Sequence, residues 1–164
     1  MGKRLLLMVL VVFIGCKGTS QEEKKENKKE TTFKVNKTDA EWRSELTDAQ
    51  YYVLRKEATE NAFSSNLLKI KTKGTYVCAG CGTPVFRSEH KFDSGTGWPS
   101  FDQEIEGNVA YDVDYKIGVA RTEEHCAVCG GHLGHMFNDG PRETTGKRHC
   151  INGVALNFIP DSKK

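Results

Sequence analysis

Cys78-Ala-Gly-Cys81-Gly82 is followed by a second motif of the same kind, Cys126-Ala-Val-Cys129-Gly130, and 44 residues separate Cys81 from Cys126. The glycine after each pair lets the backbone turn tightly and direct its amides at the thiolate sulfurs. Two such turns supply the four soft ligands of a tetrahedral structural zinc site. Because the gap between the pairs exceeds that of a compact zinc ribbon, the metal would join two distant parts of a sheet.

Other chemistries use the same cysteine pairs. In an exported protein, Cys-x-x-Cys can be a redox dithiol or a plain disulfide. A redox pair usually opens a long helix, and neither pair here is followed by a helical pattern, which favours zinc. Iron has the same ligand preference, so the residues alone leave zinc and iron open.

The rest of the folded part has a β texture. Two capping-box patterns, Thr38 with Glu41 and Thr47 with Gln50, each open a short helical stretch, and the second predicts a helix over Asp48–Thr59. We expect a mainly β antiparallel domain preceded by short helices, since 164 residues suffice for one such domain. The short β-type runs, broken by glycine, are 75–77, 109–113, 117–122 and 150–158.

Cys150 lies outside the two pairs, in the run Arg148-His149-Cys150-Ile151-Asn152. If this run is a strand, alternation places Arg148, Cys150 and Asn152 on one face. Arg148 would favour the thiolate, and Asn152 could bind a polar substrate atom. A lone cysteine is often an inert core residue, but the cation and the amide on the same face favour a nucleophile.

Two further segments could form a pocket around Cys150. Gly95–Phe101 is a glycine and proline turn in which the proline holds Trp98 extended. A tryptophan on a rigid loop suits an apolar contact such as a methyl group, although core packing is its commoner fate. His132 and His135 offer imidazoles as proton donors or substrate ligands, or are plain surface histidines. The two residues that follow are expected in the core, Met136 and Phe137.

The N-terminus has the layout of an export signal, with Lys3 and Arg4 before the apolar run 5–14. Ten apolar residues are too few to span a bilayer. Cys16 directly after a small residue resembles a bacterial lipobox, in which the thiol carries lipid, whereas the alternative is an ordinary secretory signal with a stray cysteine. We expect residues 1–15 to be a lipoprotein signal peptide, and Cys16 to anchor the chain to a membrane of the cell envelope.

Charge divides the chain into two parts. Residues 17–40 hold 7 lysines and 5 acidic residues but only Phe33 and Val35 as sizeable apolar residues, which cannot offset the entropy of ordering. The interval 16–40 is therefore predicted to be a disordered tether and 41–160 the domain. Residues 41–162 hold 13 basic and 17 acidic residues, a formal charge of −4, which gives no electrostatic reason to bind nucleic acid.

The candidate residues lie in segments that resemble the B-type methionine-(R)-sulfoxide reductases over residues 42–160. The resemblance implies two antiparallel sheets, a structural zinc on the four paired cysteines and a nucleophile at Cys150. It also implies a methyl-binding role for Trp98 and polar substrate contacts from His132, His135 and Asn152. The segments that carry it, in the order and spacing of the family, are Tyr76–Phe86, Lys91–Phe101, His132–Phe137 and Gly146–Asn152.

The implied activity is reduction of the R epimer of methionine sulfoxide in proteins through a cysteine sulfenic acid. Thioredoxin or a similar external thiol would be the reductant, and we expect a monomer. Three positions depart from the family: His149 replaces a Tyr or Phe, Gly153 replaces a Ser, and Thr96 replaces the resolving cysteine of many members. With Thr96 there, an external thiol is expected to attack the oxidised Cys150 directly.

Two other function classes compete with this interpretation. A zinc-stapled binding module tethered to a membrane explains the cysteine pairs but gives no role to Cys150 or to the Trp98 turn. A cysteine phosphatase needs a phosphate-binding loop with an arginine shortly after the nucleophile, and residues 151–160 contain none.

Overall fold

The computed structural model describes residues 32–162. The predicted signal peptide, Cys16 and the first part of the predicted tether lie outside this range. Within it, two α-helices precede nine β-strands. None of the helices in the described part of the chain is long and apolar enough to cross a membrane.

The helices α1 (Asp39–Glu45) and α2 (Asp48–Lys56) begin at the two predicted capping boxes. In each box the N-cap threonine accepts a hydrogen bond from a backbone amide three residues on, and the side chain there bonds back to the N-cap amide. α2 is three residues shorter than expected, because Glu57 adopts the left-handed conformation, with φ of 53°, and ends the helix.

The strands form two antiparallel sheets, a three-stranded sheet in the order β2-β1-β9 and a six-stranded sheet in the order β3-β4-β8-β7-β6-β5. The prediction of a mainly β fold with two antiparallel sheets and short N-terminal helices is confirmed. The strands are β1 (Gly74–Cys78), β2 (Pro84–Arg87), β3 (Lys91–Phe92), β4 (Ser100–Phe101), β5 (Val109–Asp114), β6 (Arg121–Cys126), β7 (His132–Phe137), β8 (Arg148–Ile151) and β9 (Leu156–Pro160).

Two strand predictions had wrong boundaries. The run 117–122 was expected to be a strand, but most of it is the turn between β5 and β6, where Gly118 has a φ of 81°. The run 150–158 is divided by a 3-10 turn, Gly153–Ala155. The chain leaves the six-stranded sheet at this turn and enters the three-stranded one, so β8 and β9 belong to different sheets.

The core between the sheets is aromatic. The buried rings of Phe86 and Phe101 stack with centroids 4.4 Å apart, and Tyr76 meets Phe101 edge to face at 4.9 Å. Tyr76 and Phe86 belong to the three-stranded sheet and Phe101 to the six-stranded sheet. These contacts therefore hold the two sheets face to face.

The folded domain begins before residue 41. The ring of Phe33 meets that of His125 edge to face, with centroids 5.8 Å apart, and the Val35 amide donates to the carbonyl of Val128 at 2.9 Å. A Cβ at Gly130 would lie 2.3 Å from the Phe33 ring. The end of the predicted tether thus packs on the second cysteine turn through its two apolar residues, Phe33 and Val35.

Gly134→Ala is expected to destabilise the fold, because a Cβ on this β7 residue would lie 2.0 Å from the carbonyl oxygen of Cys150 on β8. Overpacking of this kind costs about 1–3 kcal/mol of the free energy of unfolding, which urea denaturation measures. Gly80→Ala is the matched control, since a Cβ there meets its nearest atoms at 3.6 Å, an ordinary contact. Equal stability of the two variants would contradict the packing argument.

Candidate active site and cysteine cluster

A cavity of about 140 Å³ opens at Cys150. It contains four residues predicted from sequence: Trp98, His135, Cys150 and Asn152. Four more residues complete the wall: Thr59, Arg121, Gly134 and Phe137. Two of the predicted site residues, His132 and Arg148, do not line this cavity. Each packs against a residue that does, His132 against His135 and Arg148 against Phe137.

Cys150 occupies the middle of the six-stranded sheet, where it pairs with Ser100 on β4 and His135 on β7. Burial raises the pKa of its thiol, while the positive charge of Arg148 and a hydrogen bond from Thr96 oppose that rise. Thr96 Oγ1 lies 4.0 Å from the Cys150 sulfur. The residue at the family's resolving-cysteine position is therefore in contact with Cys150.

Arg148 lies beside Cys150, as the predicted alternation requires, and its guanidinium is held by two other side chains. Nε and one terminal nitrogen donate to the two carboxylate oxygens of Asp139 at 2.8 and 2.9 Å. The guanidinium carbon stacks 4.5 Å from the centre of the Phe137 ring. Met136 and Phe137 were expected in the core, but both are only partly buried, and Phe137 lines the cavity.

Glu60 orients both Trp98 and the turn that follows β8. Its carbonyl accepts a hydrogen bond from the Trp98 indole at 3.2 Å, and its carboxylate accepts from the amides of Gly153 and Val154. Burial raises the pKa of the Glu60 carboxyl, and the hydrogen bonds from these two amides oppose the rise. The departure at Gly153 also has a steric reason, because a Cβ there would lie 1.9 Å from the Ser65 hydroxyl.

The two histidines of β7 have different positions. His135 lines the cavity, and its Nε2 lies 2.9 Å from Asp114 Oδ2. Burial lowers the pKa of its imidazole, although the hydrogen bond to Asp114 opposes this. His132 is buried edge-on to His135, 5.5 Å between centroids, with Nδ1 2.7 Å from Glu123. His132 Nε2 is buried without a hydrogen-bond partner among the described residues.

Asn152 has its amide engaged by the backbone. Its Oδ1 accepts from the Glu60 amide and its Nδ2 donates to the carbonyl of Leu133, both at 3.0 Å. These bonds join the end of β8 to the chain after α2 and to β7. The side chain faces the cavity and at the same time fixes the backbone around it.

Sequence reasoning missed Arg121. Its guanidinium pairs with Asp114, the carboxylate that also holds His135, and its Nε is buried without a partner in the described part of the chain. Asp114 and Arg121 are opposite each other in the register of β5 and β6. The sequence does contain a signal for this pair, since Asp114 and Arg121 carry opposite charges on either side of a turn. Using that signal requires the boundaries of β5 and β6, which the sequence did not predict correctly.

His149 points away from the cavity, where it is fully buried. Its Nδ1 lies 2.6 Å from Glu124 Oε1, and its Nε2 lies 3.2 Å from Glu104 Oε2. The ring packs 5.6 Å from the Phe86 ring, between centroids. Burial raises the pKa of Glu124, and His149 opposes this rise. Where the family usually has an aromatic ring, this chain thus has an imidazole that is hydrogen-bonded to Glu124 through Nδ1 and faces Glu104 through Nε2.

The four paired cysteines come together at one point. Their sulfurs all lie within 4.8 Å of one another, with Cys78 and Cys129 at 3.7 Å and Cys81 and Cys126 at 3.5 Å. A tetrahedron of Zn–S bonds of about 2.3 Å has edges of about 3.8 Å. The cluster therefore fits a tetrahedral metal ion, and all four cysteines are free of disulfides.

Comparisons with known proteins agree with this arrangement. The SelR domain matches residues 46–160. The peptide methionine sulfoxide reductase MsrB of Leptospira interrogans is 53% identical over 127 residues, which cover 77% of this chain and 96% of that protein. The MsrB of Bradyrhizobium diazoefficiens is 52% identical over 133 residues, 80% of this chain and 95% of that protein.

A third relative, the MsrB of Leifsonia xyli, is 47% identical over 132 residues, which cover 80% of this chain and 95% of that protein. The match to the SelR domain spans most of the folded part and includes every cysteine of the cluster as well as Cys150. The resemblance inferred from the four sequence segments is confirmed. The chain belongs to the SelR family of B-type peptide methionine sulfoxide reductases.

Proposed function

We propose that this chain reduces the R epimer of methionine sulfoxide in proteins, with Cys150 as the nucleophile. The observation that carries the proposal is the separation of the thiols. Four cysteines are gathered in the cluster, while Cys150 alone among the described cysteines lies in a cavity, beside Trp98, His135 and Arg121. The named activity of relatives of about 50% identity supports methionine sulfoxide as the substrate class.

In the proposed reaction the Cys150 thiolate attacks the sulfoxide sulfur. The oxygen passes to Cys150, which is oxidised by two electrons to a sulfenic acid, and the sulfide of methionine leaves after uptake of one proton. His135, whose ring Asp114 fixes, assists the protonation of the oxygen, with His132 packed behind it. Arg121 adds a positive charge that stabilises the charge developing on that oxygen.

Trp98 would determine which epimer reacts. Its indole is held by the carbonyl of Glu60, so the ring presents a fixed apolar surface to the terminal methyl group of the substrate. With the methyl seated there, one configuration at sulfur directs its oxygen towards His135 and Arg121. The opposite configuration directs it away.

The cysteine cluster is proposed to hold one structural zinc. With Cys78, Cys81, Cys126 and Cys129 as ligands, the ion has no open position for substrate or water, so it would supply stability and no chemistry to the reaction. The competing binding-module hypothesis shares this zinc site. It leaves the cavity at Cys150 without a role.

Anchoring and regeneration complete the proposal. The sequence up to Cys16 favours an exported lipoprotein held at a membrane of the bacterial envelope. Thr96 carries a hydroxyl beside Cys150, so an external thiol, such as that of thioredoxin, attacks the sulfenic acid, forms a mixed disulfide and releases water. A second thiol of the reductant then frees Cys150.

Cys150→Ser is expected to reduce turnover of methionine R-sulfoxide to the level of a protein-free control, because a hydroxyl is a far weaker nucleophile than a thiolate. The measurement is methionine formed from each epimer with dithiothreitol as reductant. Circular dichroism serves to show that the fold is retained. Substantial turnover by this variant would refute the assignment of the nucleophile.

Cys129→Ser is expected to lose bound zinc and several kcal/mol of stability, since removing one thiolate opens the tetrahedral shell. Elemental analysis of the purified full chain should give one zinc per wild-type chain and much less in the variant. Cys150→Ser is the matched control, because the same chemical change outside the cluster should leave the metal in place. Retention of full zinc by Cys129→Ser would be inconsistent with the site.

The oxidised enzyme is expected to accumulate as a sulfenic acid when substrate is supplied without reductant. Mass spectrometry after one turnover should find one added oxygen on Cys150. When a sulfenic-acid reagent is present, it should find the adduct of that reagent on Cys150 instead. Thr96→Cys is the control, since it places a thiol where a hydroxyl now lies 4.0 Å from the Cys150 sulfur and should convert the sulfenic acid to a disulfide. An intramolecular disulfide in the wild type would overturn the scheme.

A further inference from the structure

A second and larger cavity, of about 580 Å³, lies beside the active-site cavity. Trp98 contributes to the wall of both. A polypeptide whose oxidised methionine side chain occupies the small cavity can therefore continue across Trp98 into the large one. A strand of polypeptide advances about 3.3 Å per residue, so the residues next to the methionine are the ones that reach this wall.

The large cavity is positively charged. Lys69, Lys71 and Lys91 line it, against the single carboxylate of Asp93. Among residues 32–162, none of the three lysines forms a salt bridge. This local excess of positive charge contrasts with the formal charge of −4 on residues 41–162.

Lys91 is the fixed member of this group. Its ammonium donates to the carbonyls of Leu68 and Ile70 at 3.0 and 3.4 Å. The residue is partly buried. Burial and the nearby charge of Lys71 lower its pKa, and Asp93 offsets this only in part. An anion in the cavity would remove the repulsion between Lys71 and Lys91.

Phe63 links the cavity wall to the Trp98 loop. Its ring is 70% exposed, and its amide donates to the carbonyl of Gly97 at 2.7 Å. The residue has a φ of 64°, an unusual conformation for a bulky side chain. An exposed aromatic side chain thus lines the large cavity and is tied by its backbone to the loop that carries Trp98.

We propose that the cavity formed by Phe63, Lys69, Lys71 and Lys91 binds the polypeptide flanking the oxidised methionine and selects segments that carry acidic residues. This inference rests on the proposed function, since it assigns a sequence preference to that same substrate. Acidic side chains complement the positive charge of Lys69, Lys71 and Lys91. The peptide backbone and apolar groups between them can pack on Phe63.

The test uses the full chain, dithiothreitol as reductant and peptides that each contain one methionine R-sulfoxide. The peptides differ only in having three glutamates or three glutamines, placed before or after the sulfoxide. The glutamate peptide with the favoured placement is expected to have a kcat/KM about fivefold higher than its glutamine counterpart, from about 1 kcal/mol of exposed ion pairing. The ratio should fall towards one as salt concentration rises, because these charges are accessible to screening.

Lys69→Gln combined with Lys71→Gln should bring this ratio close to one at low salt. Both side chains are exposed, so the double variant should fold. Lys73→Gln is the matched control, an exposed lysine of the same segment that does not line the cavity, and it should keep the wild-type ratio.

Equal kcat/KM for the glutamate and glutamine peptides at both placements would overturn the inference while leaving the proposed function intact. A ratio that persists in the double variant would also overturn it. So would a lysine dependence that is absent with dithiothreitol and arises only when thioredoxin replaces it, because the surface would then serve the reductant. Turnover of no R-sulfoxide peptide would overturn the proposed function and this inference together.

Discussion

The meeting of four cysteine sulfurs is the contact on which the rest of the structure depends. Cys78 ends β1 in the three-stranded sheet and Cys126 ends β6 in the six-stranded sheet, so the cluster joins the two layers. It also fixes α2, since Arg55 donates to the carbonyl of Cys129 at 2.9 Å. The chain leaving α2 then supplies Glu60, which orients Trp98 and the turn after Cys150. The cysteine cluster thus helps to position the side chains around the cavity at Cys150.

The cavity at Cys150 balances two opposing requirements. Burial excludes water and strengthens the field of nearby charges, but it also raises the pKa of Cys150. The fold offsets part of this rise with Arg148, whose guanidinium Asp139 and Phe137 hold in place. The arginine is thus a fixed charge rather than a mobile one, and its effect on the thiol needs no rearrangement during the reaction.

Short-range patterns were sufficient to predict part of this molecule. The capping boxes, the clustering of the cysteine pairs and the alternation around Cys150 depend on spacing within a few residues, or on ligand chemistry that has few solutions. Glu60 and Arg121 could not be found in this way, because their roles arise from contacts between segments distant in sequence. The misplaced start of β6 has a similar cause: the exposed apolar side chains of Ile117 and Val119 imitate a strand, although the chain turns there.

The small volume of the cavity at Cys150, about 140 Å³, has a kinetic consequence. It accommodates one sulfur-bearing side chain at a time, so in the proposed cycle methionine must depart before a thiol reaches the oxidised cysteine. The two half-reactions then follow a ping-pong order in which sulfoxide and reductant compete for the same opening. Flux through such an enzyme depends on the ratio of oxidised protein to reducing thiol, and an excess of either one slows the step that belongs to the other.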